Sequence, residues 1–305
     1  MTLVHYADRC VLGDDRMHNV IIFGGTGTLG TELIKQISTD FNYDKITVFS
    51  RDELKQQELR KCFPKCTYII GDIRNRSSVE SAITGHDTAL NVAAMKHLDV
   101  VEDNVQEAID TNINGSINIA QAALKQGVRR VIFSSTDKAV LPINVYGHTK
   151  AIIERYYLNL NEKQDDVRFK VFRWGNILGS RGSVVHAFRE TLKSSHPRIM
   201  ITDVAMSRFW IHIQDAVKFM LANVYNNSVK GVFIPPMKAC PVVRLASCLA
   251  KIEKIEKYET FVTGIRPGEK IHECLASGHD FCRRSDTGPQ LTDEELEEML
   301  LRVFE

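Results

Sequence analysis

The residues best suited to chemistry lie between Phe133 and Lys150. Ser135, Thr136, Asp137 and Lys138 follow the apolar run Val131-Ile132-Phe133, and Tyr146 and Lys150 come just after Pro142. An acid, a cationic base candidate and two hydroxyls so close together are equipped to move protons. A helix over 146–160 puts Tyr146 and Lys150 one turn apart on one face. A free phenol has a pKa of about 10. An ammonium beside it stabilises the phenolate and makes it a usable base near neutral pH. Tyr-x-x-x-Lys occurs by chance on many helices, so its meaning depends on the elements around it.

Those elements read as a parallel α/β sheet. Val131–Phe133 has the continuous apolar character of a strand buried on both faces, and ligands bind beyond the carboxyl ends of such strands. Val20-Ile21-Ile22-Phe23 gives a first strand over 18–23, followed at once by Gly24-Gly25-Thr26-Gly27-Thr28-Leu29-Gly30 and a helix over 31–38. Glycines at 24, 27 and 30 between strand and helix bring bare backbone and free N–H groups to a pyrophosphate, which is the dinucleotide fingerprint. A second strand, 46–49, ends in Ser50-Arg51-Asp52-Glu53. An arginine there suits the 2′-phosphate of NADP, whereas selection by Asp52 would suit NAD. NADP is the expectation. A third strand, 68–70, is followed by Asp72 and Ile73, with Asp72 placed to meet an adenine amino group or to cap a helix. A fourth, 87–94, ends in Ala93 and Ala94, small enough for close cofactor approach, then Lys96 and His97, facing a cleft or solvent. Residues 102–126 read as one long helix, with Asn112 at a position of poor propensity, free to bond an adjacent strand's backbone.

Beyond a strand at 169–173 and Trp174-Gly175-Asn176 the pattern becomes less regular. Arg181, Arg208 and Arg266 are placed to converge on a diphosphate and a base, or to lie singly on the surface. Thr292 and Glu295 form a capping box for a last helix to about 302, and 285–290 reads as a linker. The expected fold is α/β: a Rossmann-like, doubly wound parallel sheet with a smaller C-terminal substrate-binding lobe. Residues 1–18 form an extension, 19–176 the NADP-binding domain with a return at about 211–235, and 177–305 mostly the lobe and a C-terminal helix.

Composition narrows the function classes. The 305 residues balance to a formal charge of +1, which gives no electrostatic case for nucleic acid or an anionic membrane. No apolar run reaches the roughly 18–20 residues that span a bilayer. Seven scattered cysteines suggest reduced thiols, and the Cys62/Cys66 spacing suits no zinc site, so no metal is expected. A cytoplasmic protein is the expectation.

These segments resemble the extended short-chain dehydrogenase/reductase superfamily over about 19–275, and within it the UDP-N-acetylglucosamine 4,6-dehydratases that invert C5. The segments that carry it are Gly24–Gly30, Ser50–Glu53, Ala93–His97, Ser135–Ala139, Pro142–Gly147, Arg173–Asn176, Gly179–Val184 and Gly264–Lys270. The departures are Trp174 where the family usually has tyrosine, the N-terminal extension, and a shortened region after Lys270. The resemblance implies a cofactor site of Gly24, Thr26, Gly27, Thr28, Leu29, Gly30, Ser50, Arg51, Asp72, Ile73, Ala93, Ala94, Lys96, Tyr146 and Lys150. It implies a UDP-sugar site of Lys96, Asn176, Arg181, Gly182, Val184, Arg208, Arg266 and Glu269, and a homo-oligomer, dimer or hexamer.

The implied chemistry is redox-neutral. Tyr146, helped by Lys150 and Thr136, removes the O4 proton while hydride leaves C4 for NADP+. The 4-ketone acidifies C5, Lys138 takes that proton, Asp137 protonates the departing O6 hydroxyl, hydride returns to C6, and C5 is reprotonated from the opposite face. Neighbouring residues on an extended segment point apart, so a turn after Thr136 is needed to aim Asp137 and Lys138 together. Two alternatives stand beside this. A nucleotide-sugar 4-epimerase needs Tyr146 and Lys150 but no acid–base pair at 137–138, and a non-catalytic NADP-sensing protein needs neither.

Overall fold

A computed structural model describes residues 4–5, 16–180, 182–226, 231–278 and 282–304. In chain order the elements begin with strands β1 (Val4–His5) and β2 (Arg16–Phe23), helix α1 (Thr28–Asp40), β3 (Asn42–Ser50) and α2 (Glu53–Cys62). Next come β4 (Thr67–Ile70), α3 (Arg76–Ile83), β5 (Thr88–Asn91), α4 (Leu98–Asp103), α5 (Val105–Ala108), α6 (Gly115–Gln126) and β6 (Arg130–Thr136). Then follow α7 (Val145–Lys163), β7 (Arg168–Trp174), β8 (Asn176–Leu178), α8 (Val184–Leu192), β9 (Arg198–Ile201), β10 (Ser207–His212) and α9 (Ile213–Val224). The chain closes with β11 (Val232–Phe233), β12 (Lys238–Pro241), α10 (Val242–Ile252), β13 (Glu259–Val262), β14 (Cys274–Ser277), β15 (Cys282–Arg284) and α11 (Asp293–Leu301).

Eight strands form one sheet in the order β1-β11-β7-β6-β5-β2-β3-β4, every neighbouring pair parallel. This is the Rossmann-like sheet expected from the apolar runs. Val20 to Phe23, Val131 to Phe133 and Phe169 to Phe172 are buried because helices cover both faces. The order reverses between β2 and β5, so their carboxyl ends open a crevice there. Val4–His5 add to the far edge of this sheet, within the segment read as an extension. A second hydrophobic core, built from Leu178, Phe188, Trp210, Leu245, Leu249, Leu296 and Leu300, organises the C-terminal lobe around the three strands β12-β10-β8.

Two sequence expectations change. The single helix over 102–126 is divided into α4, α5, a π-helical turn (Ile109–Asn114) and α6. Asn112 explains the wide turn: its amide accepts from the Met95 N–H (2.9 Å) and donates to the Met95 carbonyl (3.0 Å) and to Thr149 Oγ1 (3.1 Å). A side chain reaching out to satisfy backbone this way competes with regular helix. The 285–290 stretch is not a linker. Ser285 is fully buried, bonded to Ser207 and to the Glu273 backbone, and Gln290 bridges to Ala239. The capping box of Thr292 and Glu295 is present as read.

Candidate active site

The glycine turn comes first in the chain. Gly24 has φ +83°, and a Cβ there would lie 2.7 Å from the Ala93 backbone; at Gly30 it would lie 2.5 Å from Gly25 Cα. The loop therefore closes across the switch point only with bare backbone. Gly27 stands at the N-cap of α1 without a side-chain cap, which leaves first-turn N–H groups to an anion. These features fit a dinucleotide pyrophosphate. Thr26 is buried, Leu29 packs on the core, and Ile73 is buried with its side chain against Gly115.

At the end of β3, the Ser50 hydroxyl accepts from Gln56 (3.0 Å) and Arg51 is exposed. Asp52 caps α2 through the Lys55 N–H (2.9 Å). Asp72 takes Arg74 at 2.6 Å and Arg51 at 3.6 Å. Burial works to raise the Asp72 carboxyl, but the Arg74 hydrogen bonds and the charge of Arg51 hold it below its usual range. The cap of α3 is Asn75, so Asp72 does not fill that role.

The proton-moving residues gather at the carboxyl end of β6. A single 3-10 turn, Asp137–Ala139, supplies the required re-aiming, with Thr136 Oγ1 accepting from the Lys138 N–H (3.3 Å). Helix α7 follows, capped by Asn144, whose side chain accepts from the Gly147 N–H (2.6 Å) and donates to the Gly268 carbonyl (2.7 Å). Gly147 lies so close under the turn that a Cβ would stand 2.2 Å from the Lys138 carbonyl oxygen. Deeper in α7, Glu154 pairs with Arg173 at 2.5 Å and accepts from the Ser135 hydroxyl at 2.6 Å, all three buried. Ser135 thus braces the helix, and Thr136 is the hydroxyl left at the site.

Lys138 is flanked by two carboxylates, Asp137 at 3.1 Å and Glu273 at 3.3 Å. Asp137 is 0 % exposed and Glu273 2 %, and Asp137 Oδ2 has no hydrogen-bond partner among the described residues. Burial pushes the Asp137 carboxyl up, Lys138 opposes this, and Glu273 adds to it. Burial works against charge on Lys138, but Asp137 and Glu273 outweigh it, so the ammonium is held above its ordinary range. Glu273 goes down: the desolvation that would raise it is overcome by Lys138, Arg208 and Lys270. Half-buried Tyr146 is pushed up to about 12 by burial, with Lys138 pulling against it, and the Thr136 hydroxyl donates to Asp137 Oδ1 (3.0 Å). Lys150 is buried, donates to the Ser134 carbonyl (2.7 Å), lies over the Phe133 ring (4.4 Å) and is lowered to about 7 by burial. In this arrangement the Lys138 charge reaches the phenol, while Lys150, the cation the sequence pointed to, donates to the Ser134 carbonyl.

The residues expected around a UDP-sugar are distributed unequally. Arg208 is buried, donates to the Ser207 (2.8 Å) and Ile271 (3.0 Å) carbonyls, and acts electrostatically on Asp137, Lys138 and Glu273. Arg266 is exposed and bonded to Glu269, in the loop that docks on Asn144. Arg208 and Arg266 therefore do not meet on a common partner here. Asn176 opens β8, Val184 opens α8, and Gly182 (φ +70°) faces the His97 ring. Ala94 and Lys96 lie in the loop after β5, and Arg181 falls outside the described residues. A cavity of 540 Å³ between α9 and α11, lined by Trp210, Phe219, Pro235 and Met299, contains none of these residues. Trp174, the departure from the tyrosine of the family, is stacked on Phe172 and donates to Ser134 Oγ (3.1 Å). Glu273 is the site residue that the sequence did not reveal; its one signal is a carboxylate three residues beyond the basic Lys270.

Among the described residues no helix is long and apolar enough to cross a membrane, and no cluster of side chains suits a metal ion. The model of the polysaccharide biosynthesis protein family matches residues 20–293. A Campylobacter jejuni protein named UDP-N-acetylglucosamine 4,6-dehydratase (inverting) is 38 % identical over 266 residues, 86 % of this chain and 78 % of that protein. A Rickettsia canadensis protein named UDP-glucose 4-epimerase is 35 % identical over 276 residues, 88 % of this chain and 80 % of that one. The X-ray structure of Pen from Bacillus thuringiensis superposes with a TM-score of 0.87 at 31 % identity, covering 95 % of this chain and 98 % of that one. With the Rossmann-like sheet, the glycine turn and the Tyr146–Lys150 helix, these matches place the chain in the polysaccharide biosynthesis protein family of extended short-chain dehydrogenase/reductases.

Proposed function

We propose that this chain is a UDP-N-acetylglucosamine 4,6-dehydratase that inverts C5. The observation that carries the reading is the acid–base pair at the end of β6: a fully buried Asp137 with one unpaired oxygen, touching Lys138, one turn before the helix of Tyr146. A relative bearing that activity in its name supports it.

NADP is the proposed cofactor, held by the backbone of Gly24, Gly27 and Gly30 and by Arg51. Arg51 is exposed at the end of β3 while Asp52 is occupied as a helix cap, which favours a 2′-phosphate over a bare ribose. When bound, the nicotinamide supplies hydride acceptance at C4 and hydride donation at C6. The chain's own residues manage the protons. Tyr146, ionised as its phenolate, takes the O4 proton. Asp137, whose proton affinity burial raises, takes a proton from the Lys138 ammonium and delivers it to the leaving O6 hydroxyl. Lys138 takes the C5 proton once its ammonium has passed a proton to Asp137, 3.1 Å away. That single transfer converts a resting ion pair into the acid and base that elimination needs.

A 4-epimerase is the second reading, favoured by the Rickettsia relative. It gives the buried pair at 137–138 no work. Incubation with UDP-N-acetylglucosamine separates the two by mass spectrometry. Loss of one water is expected; an isomer of unchanged mass would replace the dehydratase with the epimerase. The same reading carries a homo-oligomer, supported by exposed Val100, Val105 and Ile152 on the adjacent helices α4, α5 and α7. Light scattering on the purified protein tests it, and a monomer would remove it.

A further inference from the structure

We propose that Glu273 is a positioning residue of the acid–base pair: it clamps the Lys138 side chain, and its fixed negative charge sets the protonation of both Asp137 and Lys138. This rests on the dehydratase reading above and goes beyond it, since Glu273 comes from the far end of the chain and belongs to none of the motifs that define the site.

A carboxylate that is 2 % exposed is costly unless cations surround it. Glu273 has three within reach: Lys138 at 3.3 Å, Lys270 at 3.6 Å and the nearby Arg208. Its backbone is fixed as well. The Glu273 N–H donates to Ser285 Oγ (3.0 Å), the Ser285 N–H donates to the Glu273 carbonyl (2.9 Å), and Ser285 bonds Ser207 Oγ at 2.7 Å. Lys270 in turn donates to the Val140 carbonyl at 2.7 Å, which ties this segment to the catalytic turn. The carboxylate is thus held in one place by the C-terminal lobe.

Two carboxylates sharing one ammonium cannot both be ionised at equal cost, and the environments decide which keeps the proton. Asp137 is fully buried with Lys138 at 3.1 Å and a weaker influence from Arg208, whereas Glu273 has Lys138, Arg208 and Lys270 acting on it. Glu273 therefore keeps its charge, and Asp137 is the carboxylate that receives the Lys138 proton. The groups facing Lys138 are Asp137 on its own turn, Tyr146 from α7, Arg208 from β10, and Glu273 with Lys270 beyond it. His272 is engaged elsewhere, with Ser207 Oγ at 2.8 Å and Asp286 at 3.7 Å. Removing the negative charge of Glu273 lowers the proton affinity of both Asp137 and Lys138. Both limbs of the pH profile of elimination then move to lower pH.

The test is water loss from UDP-N-acetylglucosamine, measured across pH with the full chain and its nicotinamide cofactor. In Glu273→Gln the whole profile is expected at lower pH by about one unit or more, the shift an adjacent charge imposes. Glu273→Asp, which keeps the charge, is expected to stay near the wild-type profile. Lys270→Gln removes a cation beside Glu273 and is expected to move the profile the opposite way, to higher pH. A Glu273→Gln profile that is lower in height but unmoved in pH would overturn the proposal, leaving Glu273 a merely structural residue. If Glu273→Gln does not fold, the Lys270→Gln profile decides, and no shift or a shift to lower pH overturns it. Wild-type protein that releases no water at any pH contradicts the dehydratase reading itself, before any variant is compared.

Discussion

Two clusters of charge in this molecule are mirror images in composition. At the end of β6 one lysine lies between two carboxylates, and beyond β3 one carboxylate lies between two arginines. Their surroundings differ. The side chains of Asp137, Glu273 and Lys138 are 0 %, 3 % and 16 % exposed, whereas Arg51 is 55 % and Asp72 25 % exposed. Burial suits the first cluster to distributing protons, because little solvent reaches the charges to screen them or supply a substitute partner. Exposure leaves the second with internal pairs that are worth little, and in the proposed function these open for an incoming phosphate. In the proposed function the same chemistry of ion pairs serves catalysis in one place and cofactor selection in the other.

Breaking the buried cluster has the largest expected effect. Lys138→Ala should lower elimination by about 10²–10⁴-fold, the usual worth of a general acid–base group. C4 oxidation should still be possible. Near wild-type water loss from this variant would place the base elsewhere. A step outward, the brace under α7 is also buried. Glu154→Gln leaves the Arg173 guanidinium without its anion, and should destabilise the fold by about 3–5 kcal/mol. Urea unfolding measures this directly, and an unchanged midpoint would mean that the pair does not hold the helix on the sheet. The exposed cluster gives the smallest stability effect. Arg51→Ala should change the unfolding free energy by less than about 1 kcal/mol. It should also weaken NADP binding by about 10–100-fold, the worth of hydrogen bonds to a charged group. NAD binding should scarcely change; equal weakening of both would remove the 2′-phosphate assignment.

The contrast also explains what was legible in the sequence. The glycine turn, the strand ends and the Tyr146–Lys150 helix are local, so spacing and apolar runs reveal them. Asn112 was readable as a misfit in a helix, but the π-helical turn it imposes depends on Met95 and Thr149, which only the folded chain brings near. Glu273 was hidden for the same reason. It reaches Lys138 through a tertiary contact across the lobes, and it rests on Ser285, itself bonded to Ser207, in a stretch that composition alone presents as a linker. The arginines show the opposite failure. Residue type suggested convergence, yet Arg208 is spent on backbone carbonyls near the catalytic turn, while Arg266 sits on an exposed loop with Glu269.

The central claim is that Asp137 and Lys138 carry out an elimination across C5 and C6 after Tyr146 has opened C4. Isotope placement tests it most directly. With substrate deuterated at C4 in ordinary water, the label should appear at C6 of the product. With unlabelled substrate in deuterated water, deuterium should enter at C5, because inversion brings the new C5 proton from solvent-exchanged donors on the face opposite Lys138. A C4 label retained at C4, with no solvent deuterium at C5, would contradict the account and leave a 4-epimerase in its place.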